Sequence, residues 1–257
     1  MIYLFASYIK FLLKSTNQHG VHSPFVYNLV TRCFYDKTSF PEYQIVRTYR
    51  NELLKNNQSI TVKDLGAGSR VFTSNQRLVS AIAKHAGITF KRQKLLFRMM
   101  RYFKPDSVLE LGTSLGMATW AMALGNPPAT IYTVEGCKAT SEVAKSYFKK
   151  FQFKNIRLYN QTFTAFFDNF PQSKIDFVYL DGSHDKESTL ALFNQLLPHA
   201  HNNSVFIFDD IYWSKEMTEA WKEIIKHPKI TVSIDTYFWG LVFFRKEQKK
   251  QHFTIRV

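Results

Sequence analysis

From residue 106 onward the chain alternates between short apolar runs and stretches whose apolar residues recur at helical spacing. Apolar runs at 107–111, 130–135, 156–159, 175–181, 204–209, 230–235 and 241–245 predict seven strands. Between the first six, the spacing predicts helices over 116–124, 139–151, 164–169, 186–197 and 215–227, because residues three and four apart share one face of a helix. Strand and helix in strict alternation require parallel pairing through right-handed crossovers, with helices on both faces. Only Tyr237-Phe238-Trp239-Gly240 separates the last two strands, too short for a parallel crossover, so that pair is expected to be antiparallel. The fold class is therefore α/β: a doubly wound, seven-stranded, mostly parallel sheet whose last strand is antiparallel.

Upstream the pattern changes. Apolar stretches at 2–13 and 25–34 flank a turn-rich segment at 15–24, and 78–86 and 91–103 read as helices ended by Pro105. Residues 1–104 are expected to form a basic, mostly helical cap with lead-in helices, and 105–257 the sheet domain. Asp64-Leu65-Gly66-Ala67-Gly68-Ser69 reads as a turn of the cap. The 2–13 stretch is broken by Lys10 and falls short of the roughly 20 residues that span a bilayer. It also lacks the basic start and cleavage site of a signal peptide, although an amphipathic helix there could lie on a membrane surface.

Composition narrows the class. With 45% hydrophobic residues, the 257-residue chain can bury a sizeable core. Its two cysteines, Cys33 and Cys137, have no metal-ligand spacing, which excludes a disulfide scaffold and a zinc–thiolate site and fits a reducing cytoplasm. Of the net charge of +14, residues 1–104 carry +13, from 17 Lys and Arg against four acids. Such a field attracts polyanions, so RNA, an anionic membrane face and an acidic small substrate are all admitted as partners. A solvated basic surface is the plain alternative. No RNP-like motif, zinc finger or arginine-rich tail singles out RNA.

The first strand of the sheet leads into Glu110-Leu111-Gly112-Thr113-Ser114-Leu115-Gly116 and then a helix. Glycines at the end of a first strand let backbone approach a ligand, and open α/β sheets bind ligands at the strands' carboxyl ends. The spacing is not the GxGxxG of dinucleotide enzymes, and an acid beside the loop disfavours phosphate. The second strand ends in Glu135, whose carboxylate can accept from both hydroxyls of a ribose. In these residues the chain resembles the class I S-adenosylmethionine-dependent methyltransferases, from about Lys91 to Arg245. The resemblance implies that Glu110, Gly112, Thr113, Ser114 and Gly116 surround the methionine end of S-adenosyl-L-methionine. It implies Glu135 for the ribose, and Gly136, Cys137 and Thr162 for the adenine surroundings.

Asp181 ends the fourth strand, and Asp209 and Asp210 the fifth. Carboxylates crowded on one rim need positive compensation, which a hard divalent cation such as Mg²⁺ supplies. The spacing resembles the metal ligands of catechol-type O-methyltransferases, which implies a metal set of Asp181, Asp209 and Asp210 and a further cofactor contact from Asp181. His184, three residues past Asp181, takes the place of a general base. Asp181 and His184 are thus the catalytic candidates, in O-methylation of a small-molecule acceptor. An RNA methyltransferase using the basic cap and a non-catalytic nucleoside-binding protein are the competing readings, and a homodimer is compatible with the sequence. His19 and His22 read as cap structure or substrate contacts, and Trp213, Trp221 and Trp239 as core packing or an aromatic wall.

Overall fold

The computed structural model describes every residue except Met1, Leu65, Ala67, Ser69, Arg70 and Pro171. Its first half runs α1 (Ile2–Lys14), α2 (Pro24–Leu29), α3 (Glu42–Lys55), β1 (Ser59–Thr61), β2 (Gln76–Leu78), α4 (Val79–His85), α5 (Phe90–Phe103), β3 (Ser107–Leu111) and α6 (Met117–Gly125). It continues as β4 (Thr130–Val134), α7 (Lys138–Lys150), β5 (Ile156–Tyr159), α8 (Phe163–Phe167), β6 (Phe177–Leu180) and α9 (Lys186–Leu196). The last elements are β7 (Val205–Asp209), α10 (Lys215–Lys226), β8 (Val232–Asp235), β9 (Trp239–Phe243) and β10 (Gln251–Thr254). The chain forms two compact units, one made of residues 36–170 and the other of 1–35 with 171–257.

In the unit of residues 36–170, β3, β4 and β5 pair in parallel, with Glu110 opposite Thr133 and Val134 opposite Tyr159. The helix α6 is apolar on all sides and almost entirely buried, as a helix without a polar face must be. Against it runs α5, whose Leu95, Leu96, Met99 and Met100 are buried as their spacing predicts. A left-handed Lys104 (φ 48°) and then Pro105 end it. The helix α3 contributes Tyr49, fully buried and stacked on Trp120 with ring centres 4.5 Å apart. Its hydroxyl donates to the carbonyl of Leu115 at 2.7 Å, so α3 braces the glycine loop directly. The β1–β2 hairpin was not foreseen, since its strands are three residues each and mostly polar. Of the 64–69 turn, Leu65, Ala67 and Ser69 lie outside the described residues.

In the other unit the strands run in the order β10-β8-β9-β7-β6. The pair β6–β7 is parallel, with Leu180 opposite Phe208, and β9 is antiparallel to both β7 and β8, as the short connection at 237–240 requires. An eighth strand, β10, extends β8 in parallel. Its Gln251-His252-Phe253-Thr254 has no apolar run, which is why the periodicity did not reveal it. Parallel strands joined through helices, with one strand reversed, make this the Rossmann-like α/β fold that the alternation predicts.

Candidate active site

In the unit of residues 36–170, the predicted cofactor residues from Glu110 to Cys137 gather at the carboxyl ends of β3 and β4, and Thr162 follows β5. The loop that leaves β3 needs three left-handed residues in five: Gly112 (φ 105°), Ser114 (φ 49°) and Gly116 (φ 74°). At Gly116 the lack of a side chain serves packing as well as conformation. A Cβ there would lie 2.5 Å from the Phe148 ring and 2.8 Å from the Tyr49 hydroxyl. The Gly112 and Thr113 amides donate to the carbonyl of Val134 at 2.9 and 3.2 Å, tying the loop to the end of β4.

Two carboxylates organise this loop from opposite sides. Glu110 is completely buried, and its Oε2 accepts the hydroxyls of Thr119 and Thr133. Thr133 in turn lies 2.5 Å from the Thr113 hydroxyl. Burying a carboxylate is costly without such partners, so the threonines are what make Glu110 tolerable there. Glu135, just beyond β4, accepts the amide of Ser114 at 2.7 Å and that of Cys137 at 2.8 Å, one on each oxygen. A carboxylate has about four acceptor positions, and two amides engage two of them. Gly136 follows, and Cys137 is the buried N-cap of α7, its Sγ accepting the Lys63 amide at 3.3 Å. Thr162 is exposed and caps α8, its hydroxyl accepting from Ala165 N at 3.3 Å. Sequence reasoning missed Asn160, which donates to the Glu135 carbonyl at 2.7 Å.

The other unit carries the acid cluster. Tyr179 and Asp181 lie on one face by strand alternation, and one step beyond the Leu180–Phe208 pair brings Asp181 alongside Asp209 of β7. The Tyr179 hydroxyl is 2.8 Å from Asp209 Oδ2 and 3.3 Å from Asp181 Oδ2, so a buried tyrosine stands between two carboxylates. The reading of the chain missed Tyr179, although its position two residues before Asp181 was the available signal. His184 Nε2 lies 3.4 Å from Asp181 Oδ1, and its ring is 5.9 Å from that of Trp213. The turn that brings it there is left-handed at both Ser183 (φ 69°) and His184 (φ 45°), as is Asp210 (φ 52°). Side chains other than glycine reach that region at a cost, and such residues concentrate at functional sites.

Electrostatics decide the state of His184. Burial works to lower its pKa, but the hydrogen bond to Asp181 and the charges of Asp181, Asp210 and Asp209 outweigh it and hold the ring at about 9. At neutral pH it is an imidazolium, which donates a proton and cannot accept one. The expected base near working pH is corrected accordingly.

The residues do not fit a divalent cation as they stand. Asp209 and Asp181 are engaged by Tyr179, and Asp181 also by His184. Among the described residues no three of His, Cys, Asp or Glu are grouped to hold a metal ion, and the Asp181–Asp209–Asp210 set is not such a group. His19 and His22 are exposed, whereas Trp221 and Trp239 are core residues.

Comparison with known proteins bears on the fold and its family. Residues 109–211 match the family model of a methyltransferase domain. No curated protein sequence matches the chain. Among solved structures, the SAH-bound methyltransferase PaMTH1 of Podospora anserina is similar with a TM-score of 0.58 and 13% identity, over 82% of this chain and 99% of that one. The O-methyltransferase of Bacillus cereus in complex with SAH gives 0.54 and 14%, over 83% and 95%. The O-methyltransferase TomG of Streptomyces achromogenes, involved in tomaymycin synthesis and solved with SAM, gives 0.54 and 14%, over 63% and 82%. Residues 109–211 are thus similar to a methyltransferase domain, and the chain shares the Rossmann-like fold of these SAM- and SAH-bound methyltransferases.

Proposed function

We propose that this protein methylates a hydroxyl oxygen of a small molecule with S-adenosylmethionine as donor. The observation that carries the reading is the pairing of Asp181 with His184 at the carboxyl end of β6, beside the Tyr179–Asp209 hydrogen bond. O-methyltransferases among the structural neighbours support oxygen as the acceptor atom.

When bound, the cofactor supplies an electrophilic methyl group on a sulfonium. Glu135 accepts from the ribose hydroxyls while its amide partners, Ser114 and Cys137, keep the carboxylate aimed. The loop Gly112-Thr113-Ser114, with Gly116 and Glu110 behind it, shapes the methionine end, and Gly136, Cys137 and Thr162 border the base. The Asp181–His184 pair receives the acceptor's proton in the fraction of molecules whose ring is neutral, and Tyr179 holds Asp209 in place beside it. Most of the rate arises from positioning, since a methyl donor and an oxygen held in line have little further chemistry to do. No step needs a metal.

Calorimetric titration of S-adenosylhomocysteine, followed by methyl transfer to a panel of phenols and catechols with and without chelator, tests the reading. Cofactor binding and chelator-resistant turnover that falls in Asp181→Asn are expected. Absence of cofactor binding overturns it.

A further inference from the structure

The helix α1 turns an apolar face outward. One side packs within its own unit: the Tyr3 hydroxyl donates to Thr218 Oγ1 at 2.6 Å, the Tyr237 hydroxyl donates to the Leu4 carbonyl at 2.9 Å, and Ser7 and Phe11 are buried. With 100° between successive residues, the opposite side consists of Ile2, Phe5, Ile9 and Leu13. Ile2 is 88%, Phe5 70% and Leu13 82% exposed. No charged residue interrupts this stripe. Lys10, exposed, borders it on one flank, Lys14 lies nearer the packed side, and residues 1–35 contain no acid at all.

An amphipathic helix normally points its polar side to water, so a stripe of this kind marks a surface that another phase or molecule covers. Charge selects between the candidates. A second copy of the chain would bring lysines to lysines in a protein of net charge +14. An anionic bilayer takes the apolar stripe into its acyl boundary and the flanking Lys10 ammonium into its headgroups at once. On α10, against which α1 packs through Tyr3, Glu219 and Glu223 are held by Lys186 at 3.3 and 2.5 Å. Lys186 offsets one of those two charges, and with no acid in residues 1–35 the basic α1 keeps its attraction for anionic lipid. At 13 residues the helix is too short to cross a membrane, and none of the described helices is long and apolar enough to do so.

We propose that α1 docks the protein in the plane of an anionic lipid surface, through Ile2, Phe5, Ile9 and Leu13 with Lys10 as a headgroup contact. This is independent of the methyltransferase reading. The test is flotation of the full chain with vesicles of phosphatidylcholine alone or mixed with phosphatidylglycerol. Binding to the mixed vesicles, weakened by salt, is expected. Phe5→Asp with Ile9→Asp, at exposed positions, should reduce it about tenfold or more while circular dichroism and the melting temperature hold. Lys10→Gln should reduce it about fivefold. Failure to float with anionic vesicles overturns the proposal. So does flotation that the Phe5 and Ile9 substitutions leave intact, or a solution dimer that they dissolve.

Discussion

The charge on His184 makes a stability prediction whose size follows from the acid cluster. The ring's ordinary pKa is 6.5, and in the fold it is held at about 9 by Asp181, Asp210 and Asp209 against the opposing effect of burial. At 1.36 kcal/mol per pH unit, that displacement corresponds to about 3 kcal/mol of folding free energy. Because the folded value lies above the unfolded one, this stability is fully present below about pH 6.5. It declines as pH rises and is gone above about pH 9. His184→Gln removes the titration while leaving a side chain that still reaches Asp181. Urea unfolding of both proteins at about pH 6, 7.5 and 9.5 gives the difference directly, free of the other groups that titrate in that range. The gap between them should be about 3 kcal/mol larger at the acid end than at the alkaline end, or roughly 6–12 °C in melting temperature. Asp181→Asn should flatten most of the same dependence. If the wild type and His184→Gln run parallel across the range, the ring is not charged in the fold and the account of the cluster is wrong.

Four further outcomes follow from the same geometry. Glu135→Gln places an amide NH₂ against a backbone N–H at Ser114 or Cys137 and removes a charged acceptor, so S-adenosylhomocysteine should bind about 10- to 100-fold more weakly by calorimetry. Gly116→Ala must place a Cβ 2.5 Å from Phe148 in a left-handed residue, and chemical unfolding should show a loss of about 2–4 kcal/mol. Methyl transfer should rise with pH towards about 9 as the neutral His184 fraction grows, and a profile already flat at pH 7 would remove His184 from proton transfer. Turnover should survive exhaustive chelation, because Tyr179 and His184 already engage the carboxylates a cation would need; loss restored by Mg²⁺ would reverse that assignment.

The sheet was legible because its signals are local. Buried parallel strands are continuous apolar runs, and a four-residue link between 237 and 240 leaves no topology but an antiparallel neighbour. The elements that escaped lack such signals. The strand β10 is polar, the β1–β2 hairpin is too short to show a period, and α3 was lost within a cap read only as helices and loops. The loop at 112–116 was legible for its glycines but only partly for their purpose: the Gly116 side-chain space is taken by Phe148 and Tyr49, 32 residues later and 67 earlier in the chain. No one-dimensional pattern reports such a contact.

The acid cluster shows where sequence reasoning reaches its limit for a physical reason. Three aspartates at neighbouring strand ends do demand a compensating positive charge, and that inference stands. What spacing could not decide is who supplies it. A metal ion would require the carboxylate oxygens to converge, whereas here a tyrosine hydroxyl stands between Asp181 and Asp209 and an imidazolium lies against Asp181. The difference rests on Tyr179 facing the rim and on two left-handed residues, Ser183 and His184, turning the ring back towards the strand it has just left. Replacing Tyr179 by Phe separates the two arrangements. It removes the hydroxyl between the carboxylates, so their mutual repulsion should raise the pKa of His184 further and leave an open acidic site with a higher affinity for Mg²⁺ than the wild type. A variant with no metal affinity and an unchanged histidine titration, followed by NMR, would mean that Tyr179 does not hold the rim together.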